Sequence, residues 1–173
     1  MAGPQHPLTP LEEALEAWEG IRHGLRAEVR NVPADRFDFR PAEDARSVAE
    51  LVRHVLEVGL MMVGELCRPD TDFHRASFRD LVARYDGPVR GLAGKDELLA
   101  AIDSTLEDGR RQFRSLGEDG IQDVIARFDG RKGTKVAWMH HGLAHEERHL
   151  GQLTVYERLL GLEPALTRRS RGA

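Results

Sequence analysis

Proline placement limits what this chain can fold into more than any other feature. Of eight prolines, Pro4, Pro7 and Pro10 crowd the start, and Pro33, Pro41, Pro69, Pro88 and Pro164 divide the rest. Proline inside a helix removes a hydrogen bond and clashes with the preceding turn, so helices must fit between these positions, and the gaps are helix-sized. The long gaps carry apolar residues at helical spacing. Thr9-Pro10-Leu11-Glu12 is a capping box with proline at the first helical position, and Leu11, Ala14, Leu15, Trp18, Leu25 and Val29 follow, predicting a helix to about Asn31. A second capping box, Ser47 to Glu50, opens a stretch with Leu51, Val55, Val58 and Met62 on one side, ending before Pro69. Lys95 to about Leu116 carries Leu98, Leu99, Ile102, Leu106 and Phe113, after which Gly117 and Gly120 break the pattern. Thr134 is the N-cap of a fourth stretch, free of proline until Pro164, with Gly161 as its stop.

These four segments predict an all-α fold, an antiparallel four-helix bundle with long connections. Ser77 to Tyr85 reads as a short helix, because a connection as long as 69–94 rarely lacks structure of its own. Val124 to Phe128, followed by Asp129-Gly130, reads as a short strand turning back, giving a strand pair near 124–133. Gly20, Gly24, Gly59, Gly64, Gly109, Gly142 and Gly151 fall inside the predicted helices, each costing about 0.5–1 kcal/mol relative to alanine unless close helix approach offsets it. A length of 173 residues fits one domain, 1–173, with one core and flexible ends at 1–8 and 167–173.

Composition removes several function classes. The net charge of −4 and pI near 6.1 lack the basic excess that a phosphate backbone demands, so no nucleic-acid partner is expected. Arg168, Arg169 and Arg171 form a basic cluster, expected as a frayed, solvated tail. The single cysteine, Cys67, cannot form an internal disulfide, which fits a reducing, cytoplasmic setting. No apolar run approaches the length of a membrane span and the opening residues lack signal-peptide character, so neither membrane nor export is expected.

The chemistry gathers on the last long helix. At 100° per residue, Trp138, His141, His145, His149, Gln152 and Tyr156 share one stripe, while Val136, Met139, Leu143 and Leu150 share another. A core-facing stripe rich in nitrogen and oxygen needs partners, and a metal ion would supply them. His145 and His149, four apart, can grip one ion from the same side. His141 lies eight positions from His149, about 12 Å along a straight helix, too far to join them. The third ligand must come from another helix, and His54, beside Leu51, Val55, Val58 and Met61, is the histidine that faces inward. His23 lies off the apolar stripe of its helix, His74 is in a connection, and His6 is in the N-terminal stretch. A lone inward histidine is ordinarily a hydrogen-bonded core residue, whereas the inward-facing set His54, His145 and His149 predicts a metal site. His141 is expected beside that site or simply packed, and Gln152 and Tyr156 as pocket wall or hydrogen-bonding groups.

The string His145-Glu146-Glu147-Arg148-His149 also spells the zinc-protease helix H-E-x-x-H, in which the glutamate is general base. The extended form of that motif needs glycine and histidine where this chain has Gln152 and Val155, little chain remains for a downstream ligand, and no strand is predicted to hold a peptide beside the metal. A protease is therefore disfavoured. Glu146 is left between a proton-accepting role, a hydrogen bond to a ligand histidine, and a surface position.

The capped second helix with its inward histidine, Ser47 to His54, together with His141-Gly-Leu-Ala-His145-Glu-Glu-Arg-His149-Leu-Gly151-Gln152-Leu153, resembles the DinB-like (DinB/YfiT) superfamily of small bacterial four-helix bundles. The resemblance covers most of the chain, apart from Pro69 to Gly94 and Glu118 to Gly133. It implies a zinc or nickel ion held by one histidine of the second helix and two of the last, matching His54, His145 and His149. It also implies either a thiol S-transferase or isomerase using bacillithiol or mycothiol, or a stress-induced protein without known activity.

Three neutral imidazoles leave a divalent ion its full charge and an open coordination position. A small thiol there would favour its thiolate, since a free thiol has a pKa of about 8.5, and water there could fall to about 7. Metal-dependent transfer of a low-molecular-weight thiol onto a small-molecule electrophile is the leading expectation; a non-enzymatic metal-binding protein is the alternative, and a hydrolase is less favoured. Val136, Met139, Leu143 and Leu150, at near-heptad spacing, are expected either as a homodimer contact or as a second core face.

Overall fold

The computed structural model describes residues 8–172, and its long helices begin where the sequence offers caps. Helix α1 spans Pro10–Asn31, with Thr9 accepting from the Glu12 amide. Helix α2 spans Val48–Leu66 behind the reciprocal Ser47–Glu50 capping box. Helix α3, Phe78–Tyr85, is capped by Ser77. Helix α4 runs Lys95–Ile121, past the expected stop near Leu116, but with a break at Gly117, whose φ of 75° suits glycine. Strands β1 (Val124–Ala126) and β2 (Lys132–Thr134) pair antiparallel, with Val124 opposite Thr134. Helix α5, Lys135–Leu159, follows at once, with Thr134 accepting from the Ala137 amide.

The bundle is a four-helix one with a short hairpin, and cross-helix contacts give the direction of each rod. Along α1, Glu12 meets Arg114, Arg22 meets Thr105 and Arg26 meets Asp103, so α1 and α4 run antiparallel. Trp18 meets Glu146 and Asn31 meets Glu157, so α1 and α5 run parallel. Helices α1 and α2 each pack on both α4 and α5 and take opposite corners of the bundle. Helices α2 and α4 share a direction, so residues 67–94 must carry the chain back along the bundle, and α3 lies on α2 in that crossover. This requirement explains the long connection.

Two apolar clusters fill the interior. One centres on Leu15, Trp18, Met62, Phe113 and Met139, the other on Leu25, Val52, Leu56, Ile102 and Leu153. On α1, α4 and α5 the boundary between them falls at Arg22, Thr105 and Glu146, a buried polar layer across the bundle. Arg22 Nε lies 2.8 Å from Glu146 Oε2 and Arg22 Nη2 donates to Glu146 Oε1 at 2.9 Å, while Trp18 Nε1 donates to the same oxygen at 3.1 Å. Gly59 makes room for this pair: a Cβ there would sit 2.5 Å from Arg22 Nη2 and 2.8 Å from Glu146 Oε1.

One open alternative is decided and one expectation changes. Met139 and Leu143 are buried in the core, with Val136 and Leu150 packed against it, so that stripe is the second core face rather than a surface offered to another copy. The basic residues expected as a frayed tail form helix α6, Ala165–Arg171, because the Glu28 carboxylate accepts from the Ala165 and Leu166 amides and Arg168 donates to Asn31. The expectation for residues 1–7, His6 among them, lies outside the described residues. No helix among the described residues is long and apolar enough to cross a membrane.

Candidate metal centre

His54 enters from α2, and His145 and His149 from facing turns of α5. Their ring centroids are 5.1 Å (His54 to His145), 5.0 Å (His54 to His149) and 4.4 Å (His145 to His149) apart. One ligand nitrogen of each lies within 4.8 Å of the other two. The Nε2 atoms of His145 and His149 are 3.1 Å apart. Two nitrogens each about 2.0–2.1 Å from a tetrahedral ion stand roughly 3.4 Å apart, so a slight opening of that pair accommodates one ion.

The electrostatics suit a metal better than a proton. Burial, followed by the charge of Arg46 and the two other rings, holds the His54 pKa down at about 3. Burial, then His149 and Arg148, holds His145 at about 4. Burial also lowers His149, against an opposing hydrogen bond that it donates to Gln152. All three rings are thus neutral near pH 7 and keep a lone pair to offer. The Gln152 Oε1 atom lies 2.6 Å from His149 Nδ1 and accepts its proton, which turns the Nε2 lone pair toward the other rings. His145 Nδ1 is buried with no hydrogen-bond partner. A converging, neutral and partly unsatisfied donor set fits a divalent ion.

Beside the cluster lies a cavity of about 140 Å³ with His145 in its wall, lined otherwise by Val58, Met61, Met62, Phe128 and Trp138 among others. His141 belongs here: its ring stacks on Trp138 with centroids 4.7 Å apart, and it does not join the three ligand candidates. Tyr156 does not line this cavity. It packs edge-on against Phe39, and its hydroxyl donates to the Arg46 carbonyl at 3.1 Å, so it secures the entry to α2 instead. Glu146 takes none of the roles weighed for it. The residue is buried and held by Arg22 and Trp18 of α1, unable to serve as the base of a protease helix.

Phe78 and Phe128, whose centroids are 5.8 Å apart, were not singled out from the sequence. They come from the crossover and the hairpin, where periodicity carries no register, and only the turn signal after Phe128 marked its position. A larger groove of about 520 Å³ between α1 and α4 is lined by charges such as Glu19 and Arg110 that pair with each other, and no histidine enters it.

Comparison with known proteins follows this geometry. The DinB superfamily profile matches residues 17–153. No curated protein sequence gives a significant match. Among solved structures, a DinB-like protein from Bacillus subtilis is 20% identical, with TM-score 0.65 over 86% of this chain and 92% of that one. YfiT from Bacillus subtilis, described as a probable metal-dependent hydrolase with an unusual four-helix bundle topology, is 13% identical, with TM-score 0.70 over 94% and 95%. A mycothiol-dependent maleylpyruvate isomerase is 15% identical, with TM-score 0.65 over 84% of this chain and 61% of that one.

Proposed function

This chain belongs to the DinB superfamily, and from that premise we propose that it is a metal-dependent enzyme transferring a low-molecular-weight thiol, such as bacillithiol or mycothiol, onto a small electrophile. The observation that carries the reading is the convergence of three neutral imidazoles, His54, His145 and His149, against an apolar cavity whose wall includes His145. A zinc or nickel ion held there would supply concentrated positive charge that favours a thiolate over a thiol of pKa about 8.5.

The protein's own residues set the rest. Gln152 fixes the His149 ring, and the Arg46 charge disfavours protonation of the rings. Met61, Met62, Phe128 and Trp138 exclude water from the apolar part of the electrophile. The thiol gives its proton to solvent, its sulfur lone pair forms the new carbon–sulfur bond, and the leaving group departs with its bonding electrons. Cys67 is no substitute for an external thiol, because burial pushes its pKa up to about 11.

Hydrolysis is supported less well. The charges acting on the three rings come from arginines and from the other histidines, Glu146 is held by Arg22 and Trp18, and Asp86, the carboxylate in the His54 cavity, is engaged by Arg90. The test is product analysis by mass spectrometry, using zinc- or nickel-loaded protein, alkylating electrophiles, and thiol present or omitted. A thioether that requires both metal and thiol is the expected product. Metal-dependent hydrolysis without thiol would shift the assignment to a hydrolase, and stoichiometric metal with no turnover of either kind would leave a non-enzymatic metal-binding protein.

A further inference from the structure

Two cavities meet at the histidine cluster, and their chemistry differs. The apolar one touches His145. The other, of about 390 Å³, touches His54 and is lined by Arg46 and Arg79, with Asp86 and Val82 beside them. Phe78 borders both. Since the His54 and His145 centroids are 5.1 Å apart, a ligand reaching the rings from either side arrives at the same point.

The guanidinium groups of the second cavity are uncommitted. Most arginines of the described chain pair with a carboxylate, among them Arg22, Arg26, Arg40, Arg53, Arg75 and Arg110. Among the described residues Arg46 and Arg79 have no such partner. Asp86, the carboxylate in the same wall, is engaged by Arg90, whose Nε donates to its Oδ1 at 3.1 Å and Nη2 at 2.5 Å. Arg46 is anchored at its backbone by the Tyr156 hydroxyl, and Ser47 caps α2 immediately after it, so its arm starts from a fixed point. Arg148, one turn along α5, adds a further positive charge felt by His145 and His149. In a chain of net charge −4, this local excess of positive charge is a property of the site.

Resting on the thiol-transfer reading, we propose that Arg46 and Arg79 form a carboxylate subsite, so that the thiol this protein uses is anionic, with its carboxylate on the arginines and its sulfur at the histidine cluster. The electrophile's apolar portion then occupies the apolar cavity. Guanidinium forks bind carboxylates through paired, charge-assisted hydrogen bonds, which gives orientation as well as affinity. Thiols of the same reactivity without a carboxylate reach the rings but lack that anchor.

The test uses the cobalt(II)-loaded protein, in which sulfur binding produces a visible charge-transfer absorption, titrated with mercaptosuccinate and with 2-mercaptoethanol. Mercaptosuccinate should half-saturate at a concentration about tenfold lower. The double variant Arg46→Gln/Arg79→Gln should bring the two thiols within about twofold by weakening mercaptosuccinate alone. Both side chains are exposed, so its thermal midpoint should match the parent's. Equal affinities in the parent, or a preference unchanged in the variant, would overturn the subsite while leaving thiol binding intact. If neither thiol produces the absorption, the thiol-transfer reading falls, and calorimetry with succinate decides the subsite separately: binding to the parent and loss in the double variant supports it, and no binding to the parent refutes it.

Discussion

His145 and Glu146 are neighbours in the chain and opposites in design. Both are polar side chains at the middle layer of the bundle, on faces of α5 about 100° apart. Glu146 faces a closed network: Arg22 and Trp18 donate to its Oε1, Arg22 Nε lies 2.8 Å from its Oε2, Thr105 takes another Arg22 donor, and Gly59 lets α2 close over the pair. His145 faces an open one, with its Nδ1 left unpartnered, two further rings whose centroids are 5.1 and 4.4 Å away, and an apolar cavity beside it. A closed polar network holds helices in register, whereas an open one is kept for something that enters. The difference separates structural from functional polarity within one helix turn.

The closed side should break hardest. Glu146→Ala leaves the Arg22 guanidinium buried without its counter-charge and should destabilise the fold by about 3–5 kcal/mol in urea denaturation. Arg22→Met/Glu146→Leu, which removes both charges, should recover most of that loss. A single-variant loss below about 1 kcal/mol would show the pair to be dispensable.

The open side should respond to ligand rather than to truncation. Metal at about 100 times its dissociation constant adds ~2.7 kcal/mol to stability, which for a chain of this size raises the thermal midpoint by roughly 5–11 °C. In His54→Ala that increment should vanish while the metal-free midpoint stays close to the parent's. An unchanged increment in the variant would remove His54 from the ligand set.

A second buried carboxylate, Glu157, sharpens the contrast. Burial and the neighbouring Glu28 push Glu157 up to about 8, against a lowering hydrogen bond from Asn31 and the charge of Arg168. The folded state therefore holds a proton that the unfolded chain releases above about pH 4.5. Stability is highest below that pH and falls as pH rises through 8. The fall between pH 5 and 8.5 should be on the order of 1–2 kcal/mol and should flatten in Glu157→Gln. Parallel slopes in urea titrations of the two proteins would show that Glu157 is not the source. The smallest structural effect belongs to Gln152→Ala: stability nearly unchanged, with metal affinity lower by about tenfold because His149 loses the acceptor that orients it. Competition with a chromophoric chelator measures this, and equal affinities would make Gln152 a bystander.

The open side was legible in the sequence and the closed side was not. Caps at Thr9, Ser47 and Thr134, and apolar spacing between prolines, locate the long helices, since those signals are local. The histidines announce themselves by residue type and by four-residue spacing. Glu146 carries no such mark: its partner Arg22 is 124 positions away, and a buried ion pair replaces the apolar residues that would have drawn a clear stripe on α5. Arg46, Phe78, Arg79 and Phe128 stand in connections or just inside a short helix, where no periodicity fixes which way a side chain points. The direction of α2 relative to α4, and hence the crossover, likewise depends on contacts between residues far apart in the chain.

In the proposed metal site, imidazoles from α2 and α5 hold one ion together. Elemental analysis of purified protein after metal loading and removal of excess, beside His54→Ala, His145→Ala, His149→Ala and His141→Ala, measures it directly. About one zinc or nickel per chain is expected, with a sharp loss in each of the first three variants and near-parental occupancy in His141→Ala. Stoichiometric metal that survives His54→Ala, or no stoichiometric metal in the parent, would contradict it.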